Sequence, residues 1–215
     1  MRVFYDVDTQ HDFMDEDGAL YVPGAEGIKP ALEKLTAYAK DNGVPVIGSV
    51  DRHFGTEAYR EREGELSRWD GPFPDHCMDG TYGVEKISET KPDDQYILIE
   101  NPLDGAADQH TIDDAAAALT EGVAVYVEKQ KFDVFSNPSM AGLLKRAGID
   151  EAVVYGVATD YCVKDAVMGM QRRGVQCYVV EDAVSGIDGE TVSSAYREMH
   201  DVGARFVRLD DIVGV

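Results

Sequence analysis

Seven short apolar runs rich in β-branched residues punctuate the chain: Val3 to Val7, Val44 to Val50, Tyr96 to Ile99, Val123 to Val127, Ala152 to Val157, Val175 to Val180 and Phe206 to Leu209. Runs of this length between turn residues predict buried strands. Amphipathic stretches lie between most of them. Four times a helix-like segment runs into a Gly and then a strand, at Gly43, Gly148, Gly174 and Gly203, which suits the left-handed position that ends a helix. At Asn137-Pro138-Ser139 the Asn can cap and the Pro can open a helix. Alternating strands and helices predict an α/β domain whose parallel sheet is covered on both faces. In that architecture ligands bind at the carboxyl edge of the sheet, so the chemistry is expected just after the strands.

Two stretches break this rhythm. Asp51 to Gly83 is long, charged and aromatic without a clear period, and is either a disordered excursion or a functional loop. Residues from about 100 to 122 read as an insertion carrying a short helix around Ile112 to Leu119.

Composition narrows the classes. With 215 residues, 44% of them hydrophobic, the chain fits one packed domain, and 41 acidic residues against 20 basic give a net charge of −21. Such a surface repels phosphate backbones and anionic lipid, so no nucleic acid is expected as a partner. No run approaches the roughly 18–20 apolar residues of a membrane helix, so no membrane partner is expected. The N-terminus runs straight into a strand pattern rather than a signal peptide. Cys77, Cys162 and Cys177 form no C-x-x-C pair, which fits a reducing cytoplasm.

The strand ends carry the candidate chemistry. Asp6, Asp8 and Asp12 cluster where the first strand ends; such groups either cap the next helix or line a site. Lys129 falls where another strand leaves the sheet. Ala152 to Val157 runs through a tight turn into a helix whose first turn carries Cys162. Free N–H groups there favour a thiolate and can hold an oxyanion, whereas Cys177, in mid-strand, reads as an apolar filler. In the long loop, Asp51 and His53 face the same way on extended chain. With His76 they supply oxygen and nitrogen donors for a divalent metal, unless the histidines are simply surface residues.

Together these segments resemble the nicotinamidase branch of the isochorismatase-like cysteine hydrolases. The matching pieces are Asp8-x-Gln10-x-Asp12-Phe13, Asp51-x-His53, Pro72-x-Pro74-x-His76-Cys77 with Thr81 and Gly83, Lys129, and Gly156-Val157-Ala158-Thr159-Asp160-Tyr161-Cys162-Val163. The resemblance implies one three-layer α/β/α domain over residues 1–215 with a six-stranded parallel sheet. It also implies a triad in which Asp8 is the base, Lys129 the electrostatic partner and Cys162 the nucleophile. Backbone N–H groups of Ala158 and Cys162 would form the oxyanion hole, with a cis bond between Val157 and Ala158, and Phe13 and Phe73 would sandwich the substrate ring. Asp51, His53 and His76 would hold one divalent ion, zinc first, with iron or manganese as alternatives.

The implied reaction takes nicotinamide to nicotinate and ammonia, in a cytoplasmic homo-oligomer, a dimer or tetramer. Alternatives are another small amide, a carbamoyl compound or a vinyl ether as substrate, or a non-catalytic scaffold. Two departures stand out: Phe73 replaces a more usual Trp, and Lys131 competes with Lys129 in Lys129-Gln130-Lys131-Phe132-Asp133-Val134-Phe135.

Overall fold

All seven apolar runs form strands of one parallel sheet in the computed structural model, which describes residues 1–92, 95–105 and 108–214. The strands are β1 (Arg2–Val7), β2 (Val46–Asp51), β3 (Tyr96–Ile99), β4 (Ala124–Lys129), β5 (Glu151–Val157), β6 (Gln176–Ser185) and β7 (Arg205–Val207). Their order is β3-β4-β2-β1-β5-β6-β7. The six-stranded expectation is therefore corrected to seven. The last run is short, but Arg205, Phe206 and Val207 pair in register with Tyr178, Val179 and Val180 and so extend the sheet by one edge strand.

Helices cover both faces. On one face, α3 (Gln109–Thr120), α4 (Ser139–Arg146), α5 (Lys164–Gln171) and α6 (Gly189–Asp201) bury Leu119, Leu143, Met170 and Met199 against the sheet. On the other, α1 (His11–Met14), α2 (Ala25–Asn42) and α7 (Leu209–Val213) bury Met14, Leu32, Leu35 and Leu209. Gly43, Gly148, Gly174 and Gly203 all have φ in the left-handed region, as the helix-to-strand junctions require. Asn137 Oδ1 accepts from Ser139 N at the start of α4 (2.9 Å). Among the described residues no helix is long and apolar enough to cross a membrane.

The stretch read as an insertion supplies α3, the crossover that a parallel step from β3 to β4 needs; residues 106 and 107 lie outside the described set. Ile112, Ala115, Ala116 and Leu119, at helical spacing, form its buried face. The Asp51 to Gly83 stretch is ordered. Short 3₁₀ turns at Glu57–Tyr59, Ser67–Trp69 and Tyr82–Val84, with bridges His53 to Met78 and Leu66 to Phe73, fold it back on itself.

β1 stands where the winding reverses: β2, β4 and β3 lie on one side of it and β5, β6 and β7 on the other. Its carboxyl end is thus the place where such a sheet opens a crevice. Asp8, Asp51, Lys129 and Ala158 fall at the ends of β1, β2, β4 and β5.

Candidate active site and metal centre

Lys129 Nζ is the hub of the crevice. It lies 2.9 Å from Asp8 Oδ2, 3.1 Å from Asp51 Oδ1 and 3.5 Å from Cys162 Sγ. The ammonium is buried along with both carboxylates, whereas Lys131 is exposed. Parallel register explains the meeting, because Asp51 pairs directly with Lys129 across β2 and β4. Asp8 follows β1 with φ of 47°, a left-handed conformation that turns the chain away from the sheet.

Burial acts on each of these groups, and the neighbours decide the outcome. Burial pushes the Asp8 carboxyl above its ordinary value despite Lys129. The same burial disfavours the Lys129 charge, but Asp51 and Asp8 outweigh it and hold the amine well above the usual lysine value. Burial pushes the Cys162 thiol well up, Lys129 pulling against it. The result is a neutral thiol beside a carboxylate of increased basicity and a permanent cation, an arrangement fit for proton transfer from sulfur to Asp8.

Cys162 sits in a π-helical turn, Thr159–Val163, that leads into α5. The carbonyl of Ala158 accepts from Tyr161 N and Val163 N (both 3.1 Å), on either side of Cys162. The peptide bond between Val157 and Ala158 is cis. Phe13, Phe73, Phe132, Tyr161, Val157 and Ile187 wall a small cavity of about 30 Å³ that is also lined by Cys162, Asp51 and His76. Phe73, Phe132 and Tyr161 pack edge to face, with centroids 5.0 to 5.9 Å apart. Phe13 tilts against His76 at 5.3 Å. Among the described residues no lysine or arginine lines this cavity; its one basic group is the His76 imidazole.

On the other side of Asp51 lies a cluster of donors. Asp51, His53, Glu65 and His76 each offer a ligand atom, all within 4.8 Å of one another. Asp51 Oδ2 is 3.1 Å from His53 Nε2 and 3.2 Å from His76 Nε2. His76 Nδ1 bonds to the Pro74 carbonyl (2.8 Å), which fixes the ring with Nε2 toward the cluster. Glu65 Oε1 is buried without a hydrogen-bond partner, and burial and Asp51 push its carboxyl up to about 7. Two imidazoles and two carboxylates, one with an orphaned oxygen, fit a first-row divalent cation.

A model of the isochorismatase domain matches residues 6–211. The chain belongs to the isochorismatase family. Within it, the chain falls in the nicotinamidase branch. It is 29% identical over 221 residues to the nicotinamidase of Escherichia coli, covering 95% of this chain and 93% of that protein. The nicotinamidase/pyrazinamidase of Mycobacterium tuberculosis is 26% identical, with 96% and 98% covered. Among solved structures, the pyrazinamidase of Pyrococcus horikoshii in complex with zinc superposes with a TM-score of 0.72 at 25% identity, covering 96% of this chain and 98% of that one.

In this family member, two further motif residues brace the site. Gln10 clamps the Asp51 backbone, donating to Asp51 O (2.6 Å) and accepting from Asp51 N (2.8 Å). Asp12 accepts from Cys77 N (2.6 Å) and Ala19 N (3.0 Å), holding the segment that carries His76. Gly83 permits that approach, since a Cβ there would lie 2.1 Å from Asp12 Oδ2. Sequence reasoning missed Glu65, Phe132 and Tyr161. Glu65 is one of several glutamates in an aperiodic loop, and the two aromatics are next to or within motifs whose other residues drew the attention.

Proposed function

We propose that this amidohydrolase converts nicotinamide to nicotinate and ammonia through a thioester on Cys162. The observation that carries the reading is the meeting of Asp8, Lys129 and Cys162 around one ammonium, at an apolar aromatic cavity. Asp8 takes the thiol proton as sulfur attacks the amide carbon. The N–H groups of Ala158 and Cys162 receive the oxyanion. Asp8 returns its proton to nitrogen, the C–N bond breaks and ammonia leaves. Water then attacks the thioester, giving a proton to Asp8, which passes it to the departing sulfur. Lys129 keeps its charge throughout and steadies the anions on either side of the transfer.

Asp51, His53, Glu65 and His76 would hold a divalent ion, with zinc the first candidate. When bound, that ion supplies a Lewis acid for the ring nitrogen. Phe13 and Phe73 flank the ring. The apolar and aromatic wall, with no lysine or arginine among its described residues, favours a neutral aromatic amide over a substrate bearing a carboxylate. The test is ammonia release from nicotinamide by purified protein, before and after chelation and with metal added back. Metal-dependent release supports the assignment; release only from aliphatic amides moves the substrate elsewhere.

A further inference from the structure

Glu63 is fully buried, although the mechanism above gives it no task. Its oxygens accept from Phe54 N (2.6 Å) and Gly55 N (2.9 Å), the two residues that follow His53. Glu63 Oε1 also lies 3.8 Å from His53 Nδ1. The other ring nitrogen, Nε2, faces Asp51 Oδ2 and Glu65 Oε1 at 3.1 and 3.5 Å. An imidazole that gives Nε2 to a metal carries its proton on Nδ1. In this chain Nδ1 is buried and has no hydrogen-bond partner, so the carboxylate beside it is the group its proton meets.

The neighbouring residue fixes this carboxylate in place. Arg62 donates to three successive carbonyls, Asn101 O (3.2 Å), Pro102 O (2.7 Å) and Leu103 O (3.1 Å). Asn101 is in turn tied to the strand that carries Lys129: its N–H donates to Glu128 Oε1 (3.2 Å) and its Nδ2 to Gln130 Oε1 (2.8 Å). The segment bearing Glu63 and Glu65 is thereby bolted to the frame of the site.

We propose that Glu63 is the carboxylate partner of His53 and, anchored by Arg62, sets how tightly the Asp51, His53, Glu65 and His76 site holds its divalent cation. Glu63 is a positioning residue, and the inference rests on the metal reading above. The experiment measures the zinc dissociation constant by competition with a chromophoric chelator, for the wild type, Glu63→Gln and Arg62→Met. Partners of metal-bound histidine typically change affinity by about 10- to 100-fold when removed, and Glu63→Gln is expected in that range. Arg62→Met should weaken binding by a smaller factor while the metal-free protein keeps a cooperative melt, at a lower temperature because three hydrogen bonds are lost. With Co²⁺ in place of zinc, the visible absorption of Glu63→Gln should keep its wild-type form, because the four ligands remain. A spectrum that collapses overturns the assignment in favour of a purely structural role. Wild type that takes up no zinc overturns the metal reading itself. Wild type that binds zinc with an affinity shared by both variants overturns the role of Glu63 alone. If Glu63→Gln does not fold, an unchanged constant for Arg62→Met overturns it equally.

Discussion

Asp8 and Asp51 share a single counter-ion, the Lys129 ammonium lying 2.9 Å from one carboxylate and 3.1 Å from the other. The base of the proposed triad and a ligand of the proposed metal centre are therefore parts of one electrostatic unit. A cation bound at the Asp51 side would leave more of the lysine's charge to Asp8 and Cys162.

Removing that lysine should be costly. Lys129→Met leaves two buried carboxylates without their cation, and breaking a buried pair costs about 3–5 kcal/mol. Denaturant melts should show a loss of that order together with loss of turnover. Lys131→Ala, at an exposed position, should stay within about 0.5 kcal/mol of wild type and keep its activity.

Cys162→Ala should reduce ammonia release by at least about 10⁴-fold, the scale seen when a nucleophile is removed from a catalytic unit. Circular dichroism and zinc content should match the wild type, since the thiol is not among the metal donors. Retained hydrolysis would sink the thioester mechanism.

Three free cysteines, all buried, allow a test of the proton transfer. Burial pushes Cys177 up to about 12 and Cys77 well above the usual thiol value, so both stay protonated near pH 8. Cys162 is also raised, but it has Lys129 in contact and Asp8 beside it to take its proton. Iodoacetamide at pH 8, read by mass spectrometry, should label Cys162 first, and Asp8→Asn should slow that labelling.

The net charge of −21 predicts a salt response. Self-repulsion destabilises a compact chain, and raising ionic strength from 0.1 to 1 M shortens the screening length from about 10 to about 3 Å. The melting temperature should therefore rise with sodium chloride over that range; a flat or falling curve would show that the acidic groups are already well compensated.

The sheet was legible because its strands are apolar runs separated by helix-ending glycines. Even β7 stood out as a run, and only the analogy with relatives suggested six strands. The edge where the proposed triad meets was legible too, since Asp8, Lys129 and Cys162 each follow an apolar run. What stayed hidden depends on contacts between segments far apart in the chain. Nothing local separates Glu63 and Glu65 from Glu57 and Glu61, and only the folding back of the loop buries Glu63, half-buries Glu65 and leaves the other two exposed. Lys129 and Lys131 were likewise indistinguishable until the last residue of β4 was known.

The apolar wall of the cavity bears on the end of the reaction as well as its beginning. A neutral amide enters, and a carboxylate is made. That new anion finds no lysine or arginine on the described wall around it, in a molecule of net charge −21, while the Lys129 ammonium is already committed to Asp8 and Asp51. The departing product therefore has no lysine or arginine ion pair to break on the described wall of the cavity, and release need not wait on one.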